Sequence, residues 1–287
     1  MRNSPVQTII GFMRTAEDES EVRKGGVLSE EIACRRWENG RLRDATTSIV
    51  REARVRLHVN GAEWLSLMAT PRELGLLAIG FLASEGVIEG PAGVRRIVVC
   101  PSGSCVEVWL RDGRVTRPPG GTLTSGCGGG ITFADLSAAQ APLTADTRLT
   151  ARQLSRLMFQ LQERERTRGL HTAALGDGES LFAVAEDVGR HNTLDKLFGR
   201  CLVEGIATEG RVLLTTGRIS AEMLNKAMRM RTPIVVSRSS PTTLSVALAK
   251  AWNVTLVGYA RRDSLTVYTG PARALEDAEE VGINAQS

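Results

Sequence analysis

The sequence predicts an α/β protein whose first portion, up to about residue 120, is α+β. Three observations carry this. Beyond residue 170, short apolar runs alternate with stretches of helical period, the pattern of strands joined by helix crossovers. Between residues 53 and 110, a hairpin, a helix and two strand-like runs follow one another. The chain has 287 residues, 42% of them hydrophobic, enough for a sizeable core in one large domain or two smaller ones.

The elements follow in order. Residues 1–28 are polar and glycine-containing and read as a disordered leader. "RVRLHVNGAEWLSLMAT" alternates on both sides of Asn60-Gly61, a strong hairpin signal. A helix is expected next, with Thr70 as N-cap, Pro71 at the first position and Glu73 completing a capping box. Leu74, Leu77, Ala78, Phe81 and Leu82 share one face, and Gly86 is its stop. "RRIVVC" and "CVEVWL" read as strands joined by a Pro-Ser-Gly-Ser turn. A glycine-rich cysteine loop at 120–130 follows Pro118 and Pro119, a natural segment boundary. Thr150 and Gln153 form another capping box, opening a helix that Gly169 is expected to end.

From there "LFAVAED", "RVLLTTG", "PIVVSRS", "VTLVGYA" and "LTVYTG" read as strands. "HNTLDKLFGRCLVEG", "SAEMLNKAMRM" and "SPTTLSVALAKAWN" read as helices between them, and the sheet is expected to be largely parallel. The expected division is an N-terminal α+β domain at 29–140, a C-terminal α/β ligand-binding domain at 141–275, and a tail at 276–287.

Composition narrows the function. Net charge is +4 with a pI of about 9.0, which suits an anionic ligand such as a phosphate ester more than nucleic acid. Aromatics are 4%, too few for a single-strand stacking platform. No apolar run approaches the roughly 18 residues of a membrane helix, and no signal peptide is recognisable, so a cytoplasmic protein is expected. There is no Walker A motif, no G-x-G-x-x-G opening a helix after a strand, and no G-x-S-x-G elbow. A zinc deaminase needs H-x-E and P-C-x-x-C. Here Ala173 takes the Glu place after His171, and Cys-x-x-Cys is absent.

In open α/β sheets, ligands bind beyond the carboxyl ends of the strands. Those ends carry "AEDVGRHN" (185–192), "TTGRIS" (215–220), "SRSSPTT" (237–243) and "YARRDS" (259–264). Three of them run into a helix N-terminus, where free N–H groups favour anions. Arg190, Arg218, Arg238, Arg261 and Arg262 add donors suited to phosphate. Ser220 and Ser237 lie on the same rim. His171 is either a pocket-lining donor or a histidine at a strand start; His191 either holds a ligand or stitches strand to helix.

The five cysteines are odd in number and irregularly spaced, which does not read as a disulfide framework. Cys100 and Cys105 lack the second ligand pair of a zinc knuckle. Cys201 falls on a buried helix face. Cys127, in "TSGCGGG", combines a loop with flanking glycines, the access a thiolate nucleophile needs.

"EDVGRHNTLDK" (186–196), "TTGRISAEMLNKA" (215–227), "VSRSSPTTLSVALA" (236–249) and "LVGYARRDSLTVYTG" (256–270) closely resemble the FdhD family, as does "VNGAEWLSLMATPRELGLLAIGFLASEGVI". The resemblance runs from about residue 45 to 270 through long, specific motifs. It implies a sulfurtransferase needed for active formate dehydrogenase. Such a protein takes persulfide sulfur from a cysteine desulfurase and passes it to the molybdenum of the bis-molybdopterin guanine dinucleotide (bis-MGD) cofactor, its bound cargo. By resemblance Cys127 is the persulfide carrier, and Tyr259, Ala260, Arg261, Arg262, Asp263 and Ser264 form the cofactor segment, with GDP-like ligands as stand-ins. The resemblance also implies a homodimer, the formate dehydrogenase apoenzyme as partner, and a C-terminal domain of three-layer cytidine deaminase-like fold without zinc. No nucleic acid or membrane partner is implied.

The family loop commonly reads Cys-x-x-Cys, whereas Gly130 stands at the second place here. A lone carrier suffices for transfer, and the change removes a route to an intramolecular disulfide that would discharge the persulfide. Two other readings use the same rim: a non-catalytic bis-MGD chaperone and a guanine-nucleotide-binding regulator.

Overall fold

The computed structural model describes residues 28–123, 131–133, 135, 140–164 and 167–276. Cys127 and Gly130 lie outside the described residues, as do 1–27 of the expected leader and 277–287 of the expected tail.

The first element is a hairpin absent from the sequence reading. β1 (Ser29–Glu38) and β2 (Arg41–Val50) pair antiparallel along their whole length around Asn39 and Gly40, at φ 50° and 79°. Positive φ at both turn positions is the geometry Asn-Gly favours. β3 (Ala53–Val59) and β4 (Ala62–Ala69) repeat the device at Asn60 and Gly61, as expected. With β5 (Val94–Val99) and β6 (Cys105–Leu110) they form a sheet of order β4-β3-β6-β5. Cys100 and Cys105 are joined as a disulfide across the β5–β6 turn, where the Cys100 N–H donates to the Cys105 carbonyl. This pair was not anticipated; the turn brings the two Cα atoms to 5.3 Å, within ordinary bridging range.

Between β4 and β5 runs α1 (Leu74–Ser84). Every residue of α1 except Leu76 is buried, so the helix has no wet face and lies in the centre of the molecule. The expected cap is wrong. Thr70 is four residues upstream, and its hydroxyl accepts the Val188 N–H at 3.2 Å instead. Glu73 takes the N-cap position at φ 54° without a side-chain cap, and its carboxylate pairs with Arg200. A long-range partner outbid the local capping box.

Two short strands, β7 (Thr122–Leu123) and β8 (Ile131–Thr132), pair antiparallel on either side of the cysteine segment. β9 (Leu149–Thr150) leads into α2 (Ala151–Glu163), which Thr150 and Gln153 cap reciprocally, as the sequence indicated. This helix ends at Glu163, short of the expected stop at Gly169.

The second half comprises β10 (His171–Gly176), β11 (Leu181–Asp187), α3 (Arg190–Glu204), β12 (Val212–Thr215), α4 (Ala221–Arg229), β13 (Ile234–Ser237), α5 (Thr243–Ala251), β14 (Thr255–Gly258), β15 (Thr266–Thr269) and β16 (Ala274–Leu275). The main sheet has order β11-β10-β12-β13-β14-β15. It is mixed rather than largely parallel: β11, β12, β13 and β14 point the same way, but only β12, β13 and β14 are paired in parallel, because β10 inserts antiparallel between β11 and β12 and β15 pairs antiparallel with β14.

Alternate residues of the central strands feed two cores. Leu213, Val235 and Leu256 face α1, α3 and the N-terminal sheet. Val212, Leu214, Ile234, Val236 and Val257 face α2, through Leu154, Leu157, Met158 and Leu161. Each fully buried side chain of this size contributes about 1.5–3 kcal/mol. The larger core crosses residue 140, so α1 belongs to the same hydrophobic unit as α3. Gly80 and Gly199 make that packing possible. A Cβ on Gly80 would fall on the Asp195 carbonyl, and one on Gly199 would fall on the Leu76 carbonyl. Among the described residues no helix is long and apolar enough to cross a membrane.

Candidate functional site

β12, β13 and β14 end side by side, and the loops after them are laced by backbone and side-chain hydrogen bonds. Gly217 N–H donates to Thr215 Oγ1 at 3.1 Å, and Arg238 N–H to the Thr215 carbonyl at 3.1 Å. Ser237 Oγ donates to the Gly217 carbonyl at 2.7 Å and accepts the Ser239 N–H at 2.8 Å. Ala260 N–H reaches the Ser237 carbonyl, and Tyr259 N–H that of Ser239. The Arg261 guanidinium donates to the carbonyls of Arg238 and Ala260. Ile219 bridges to Pro241, drawing the loops before α4 and α5 together. The rim is thus built as one unit, with every loop tied to its neighbour.

Tyr259 sits at φ 52°. This left-handed region is routine for Gly or Asn and costs other residues roughly 1–2 kcal/mol. The conformation turns the chain back over Ser239 and leaves the ring 50% exposed. Ala260 is buried; Arg261, Arg262, Asp263 and Ser264 are exposed, and Arg261 N–H closes this turn on the Ser264 carbonyl at 2.7 Å. Arg262 leans the other way, its guanidinium 5.2 Å from the Phe159 ring centroid on α2.

Across the sheet, the ends of β10 and β11 bring up His171, Asp187 and Arg190. Burial holds His171 below its usual pKa, and the guanidiniums of Arg190 and Arg238 push the same way, against Asp187. His171 is therefore a neutral imidazole among cations. Arg190 is buried where the backbone of Gly217 presses on it; a Cβ on Gly217 would meet the Arg190 side chain at 2.8 Å. Arg218 is exposed on the same loop. His171, Arg190, Arg218, Ser237 and the 259–261 turn therefore form one polar rim. Thr215, Thr216 and Ser239 belong to it as well, their signal being only position at strand ends.

His191 and Ser220 lie just below. His191 Nε2 is 3.2 Å from Ser220 Oγ and 3.4 Å from a Glu222 oxygen, and burial pushes its pKa down to about 4. His191 thus joins α3 to the start of α4, a helix-to-helix contact rather than the strand-to-helix stitch expected. Ser220 caps α4 by accepting the Met223 N–H.

Below this level the motif residues hold the fold. Asp187 is fully buried. It accepts the N–H groups of Thr70 (3.1 Å) and Gly189 (2.8 Å) and the Asn192 amide (2.9 Å), and pairs with Lys196 at 2.6 Å. Lys226 lies 2.7 Å from Asp195 and 3.6 Å from Glu222, all three buried. Burial pushes Asp195 up to about 6 against the pull of Lys226, and Ser84 Oγ donates to it at 2.9 Å. Nothing local in the sequence marks Lys196 and Lys226 as buried. Cys201 is buried and its thiol is pushed up to about 12, which makes it inert, as expected. Among the described residues no group of three or more His, Cys, Asp or Glu is placed to hold a metal ion.

Strands that end together in three arginine-bearing loops, two of them leading into the starts of α4 and α5 and the third joining β14 to β15, define an α/β protein with a cationic rim. The sequence profile of the FdhD/NarQ family matches residues 50–275, and the chain belongs to that family. It is 35% identical over 254 residues to a Staphylococcus aureus (strain MRSA252) protein called sulfur carrier protein FdhD, covering 85% of this chain and 96% of that one. It is 36% identical over 248 residues to the protein of the same name from Staphylococcus haemolyticus, covering 83% and 94%. A crystal structure described as a formate dehydrogenase accessory protein, from Desulfotalea psychrophila, superposes with a TM-score of 0.71 at 28% identity, covering 86% of this chain and all of that one.

Proposed function

We propose that the chain is a cytoplasmic sulfur carrier for formate dehydrogenase. It takes the terminal sulfur of a cysteine desulfurase persulfide onto Cys127 and delivers it to the molybdenum of bis-MGD held on the rim. The observation that carries this reading is the laced rim, where Arg218, Arg238 and Arg261 stand with the 215–220, 237–242 and 259–264 loops. Guanidiniums recognise the pyrophosphate of a guanine dinucleotide, and the exposed Tyr259 offers a ring face for a base. A C-terminal half of cytidine deaminase-like, zinc-free fold and a homodimer belong to the same reading.

In the loading step the Cys127 thiolate attacks the terminal sulfur of the donor, the donor S–S bond breaks, and the donor cysteine leaves as thiolate. In delivery the Cys127 S–S bond breaks, Cys127 leaves as thiolate, and the sulfur binds the metal as sulfide with two electrons from the metal. Gly130 leaves this chain without the second loop cysteine that would compete for the persulfide.

Intact-mass measurement after incubation with an active desulfurase and cysteine tests the reading. One added sulfur atom is expected, removed by reductant and absent in Cys127→Ala. No gain in the wild type would favour a chaperone that binds bis-MGD without carrying sulfur.

A further inference from the structure

The β1–β2 hairpin is the part of the molecule with the least support from the rest. It forms a separate two-stranded sheet, and none of its strand residues is buried. Its base is closed by Arg51 N–H on the Leu28 carbonyl at 2.9 Å, and Val50 rests against Gly169. An isolated two-stranded hairpin is marginal in water, and a long open edge is a template for another strand. This one also exposes Trp37 (68%), Leu42, Ile32 and Ile49. The family profile starts at residue 50, where the hairpin ends.

The edge of β1 reads Glu30-Glu31-Ile32-Ala33-Cys34-Arg35-Arg36. Acidic and basic pairs are placed symmetrically about Ala33. When two such strands run antiparallel with a two-fold axis at Ala33, Glu31 meets the partner's Arg35 (which also lies 3.6 Å from Asp44 of its own hairpin), Glu30 meets the partner's Arg36, and Ile32 meets the partner's Cys34. Opposed residues share a face, so one charge pair and its symmetry mate lie on each side of the sheet. A parallel pairing would set Glu on Glu and Arg on Arg. β2 has no such symmetry: Arg41 and Arg43 lie near one end with Asp44 as the only acid. The hairpin also carries a defect that this pairing repairs. Arg36 lies directly across from Arg43, like charges directly opposite destabilise a ladder, and the one acid near Arg36 among the described residues is the exposed Glu38 at 3.9 Å. The partner's Glu30 would stand on the free side of Arg36.

We propose that β1 is the edge through which two copies of this chain associate, antiparallel about Ala33, joining their hairpins into one continuous sheet. This inference rests on the homodimer reading and names its surface. Joining the hairpins doubles the strand number, brings the Ile32 and Cys34 side chains of the two copies together, and closes the β1 edge, leaving β2 at the two outer edges.

Cross-linking and light scattering test it together, in a Cys34→Ser, Cys127→Ala background. Ala33→Cys is expected to form a disulfide-linked dimer on mild oxidation. Glu31→Cys and Arg35→Cys are expected to cross-link when the two chains are mixed, and not alone. E30R/E31R and R35E/R36E should each weaken the dimer at least tenfold, and the fourfold swap should restore it. A wild-type dimer with no Ala33→Cys cross-link would overturn the inference while leaving the homodimer standing. A monomeric wild type at micromolar concentration would overturn both.

Discussion

Two sets of cations in the C-terminal half of the chain behave in opposite ways. Lys196 and Lys226 are buried beneath the rim and committed to Asp187, Asp195 and Glu222. Arg218, Arg261 and Arg262 stand exposed above them. Burying an ammonium is tolerable only with a carboxylate at contact distance and further oxygens around it, as Lys196 has in the carbonyls of Thr70 and Glu186. An exposed guanidinium needs no carboxylate: Arg218 and Arg262 face solvent without one among the described residues, and Arg261 spends one nitrogen on the Arg238 and Ala260 carbonyls. The motifs that identify the family thus mix two jobs: the acids and lysines tie α1, α3 and α4 together, and the exposed arginines and loops form a cationic surface above them.

The sharpest way to separate the jobs is to remove one cation from each level. Lys226→Met leaves Asp195 and Glu222 buried without their cation and takes away a contact 5.7 Å from the Phe81 ring centroid. Removing one partner of a buried pair costs about 3–5 kcal/mol. The urea midpoint should fall accordingly, and Lys226→Met/Asp195→Asn should recover part of the loss, since Asn keeps an acceptor for Ser84. Arg262→Ala, in contrast, should change stability by about 0.5 kcal/mol or less. Equal losses in the two variants would erase the distinction.

The same division explains what could be read from the sequence. Features set by neighbouring residues were legible: the Asn60-Gly61 hairpin, the Thr150 cap, and the polar strand ends that became the rim. Features set by distant partners were not. Thr70 looks like a helix cap until Val188 arrives to take its hydroxyl. Gly80 and Gly199 look like weak points in helices until the two helices are laid against each other. The insertion of β10 between β11 and β12 leaves no trace in an alternation of strand and helix. The β1–β2 hairpin is the exception: its Asn39-Gly40 signal was present, but its strands bury nothing and so lack a clean apolar alternation.

His191 and Asp195 sharpen the comparison through pH. His191 titrates at about 4 in the fold and near its ordinary 6.5 unfolded. The unfolded chain therefore binds more protons between those values, and the His191 contribution rises with pH through that window and is lost on acidification. Asp195, raised from 3.8 to about 6, has the opposite sign: the folded state holds the extra proton, so its contribution falls as pH rises from about 4 to 6. Over their shared range the two slopes, each at most about 1.4 kcal/mol per pH unit, oppose one another. His191→Gln removes one of them. Denaturant titrations at pH 4.5 and 7 should find this variant gaining stability relative to wild type at the lower pH. A pH-independent difference would mean that His191 carries no such shift.

A small change of the opposite sign, a gain in stability, is expected at Tyr259. Its left-handed backbone is strained for an aromatic residue and natural for Asn. Tyr259→Asn should therefore stabilise the fold by a few tenths to about 1 kcal/mol. The same change removes the exposed ring from the rim. If the strain serves to present that ring to a guanine base, GDP affinity, measured by calorimetry, should fall several-fold in the more stable variant. Strain retained at a site is explained only when relieving it costs function. A variant that is both more stable and equally tight for GDP would move the binding surface away from Tyr259 and onto the arginine loops alone.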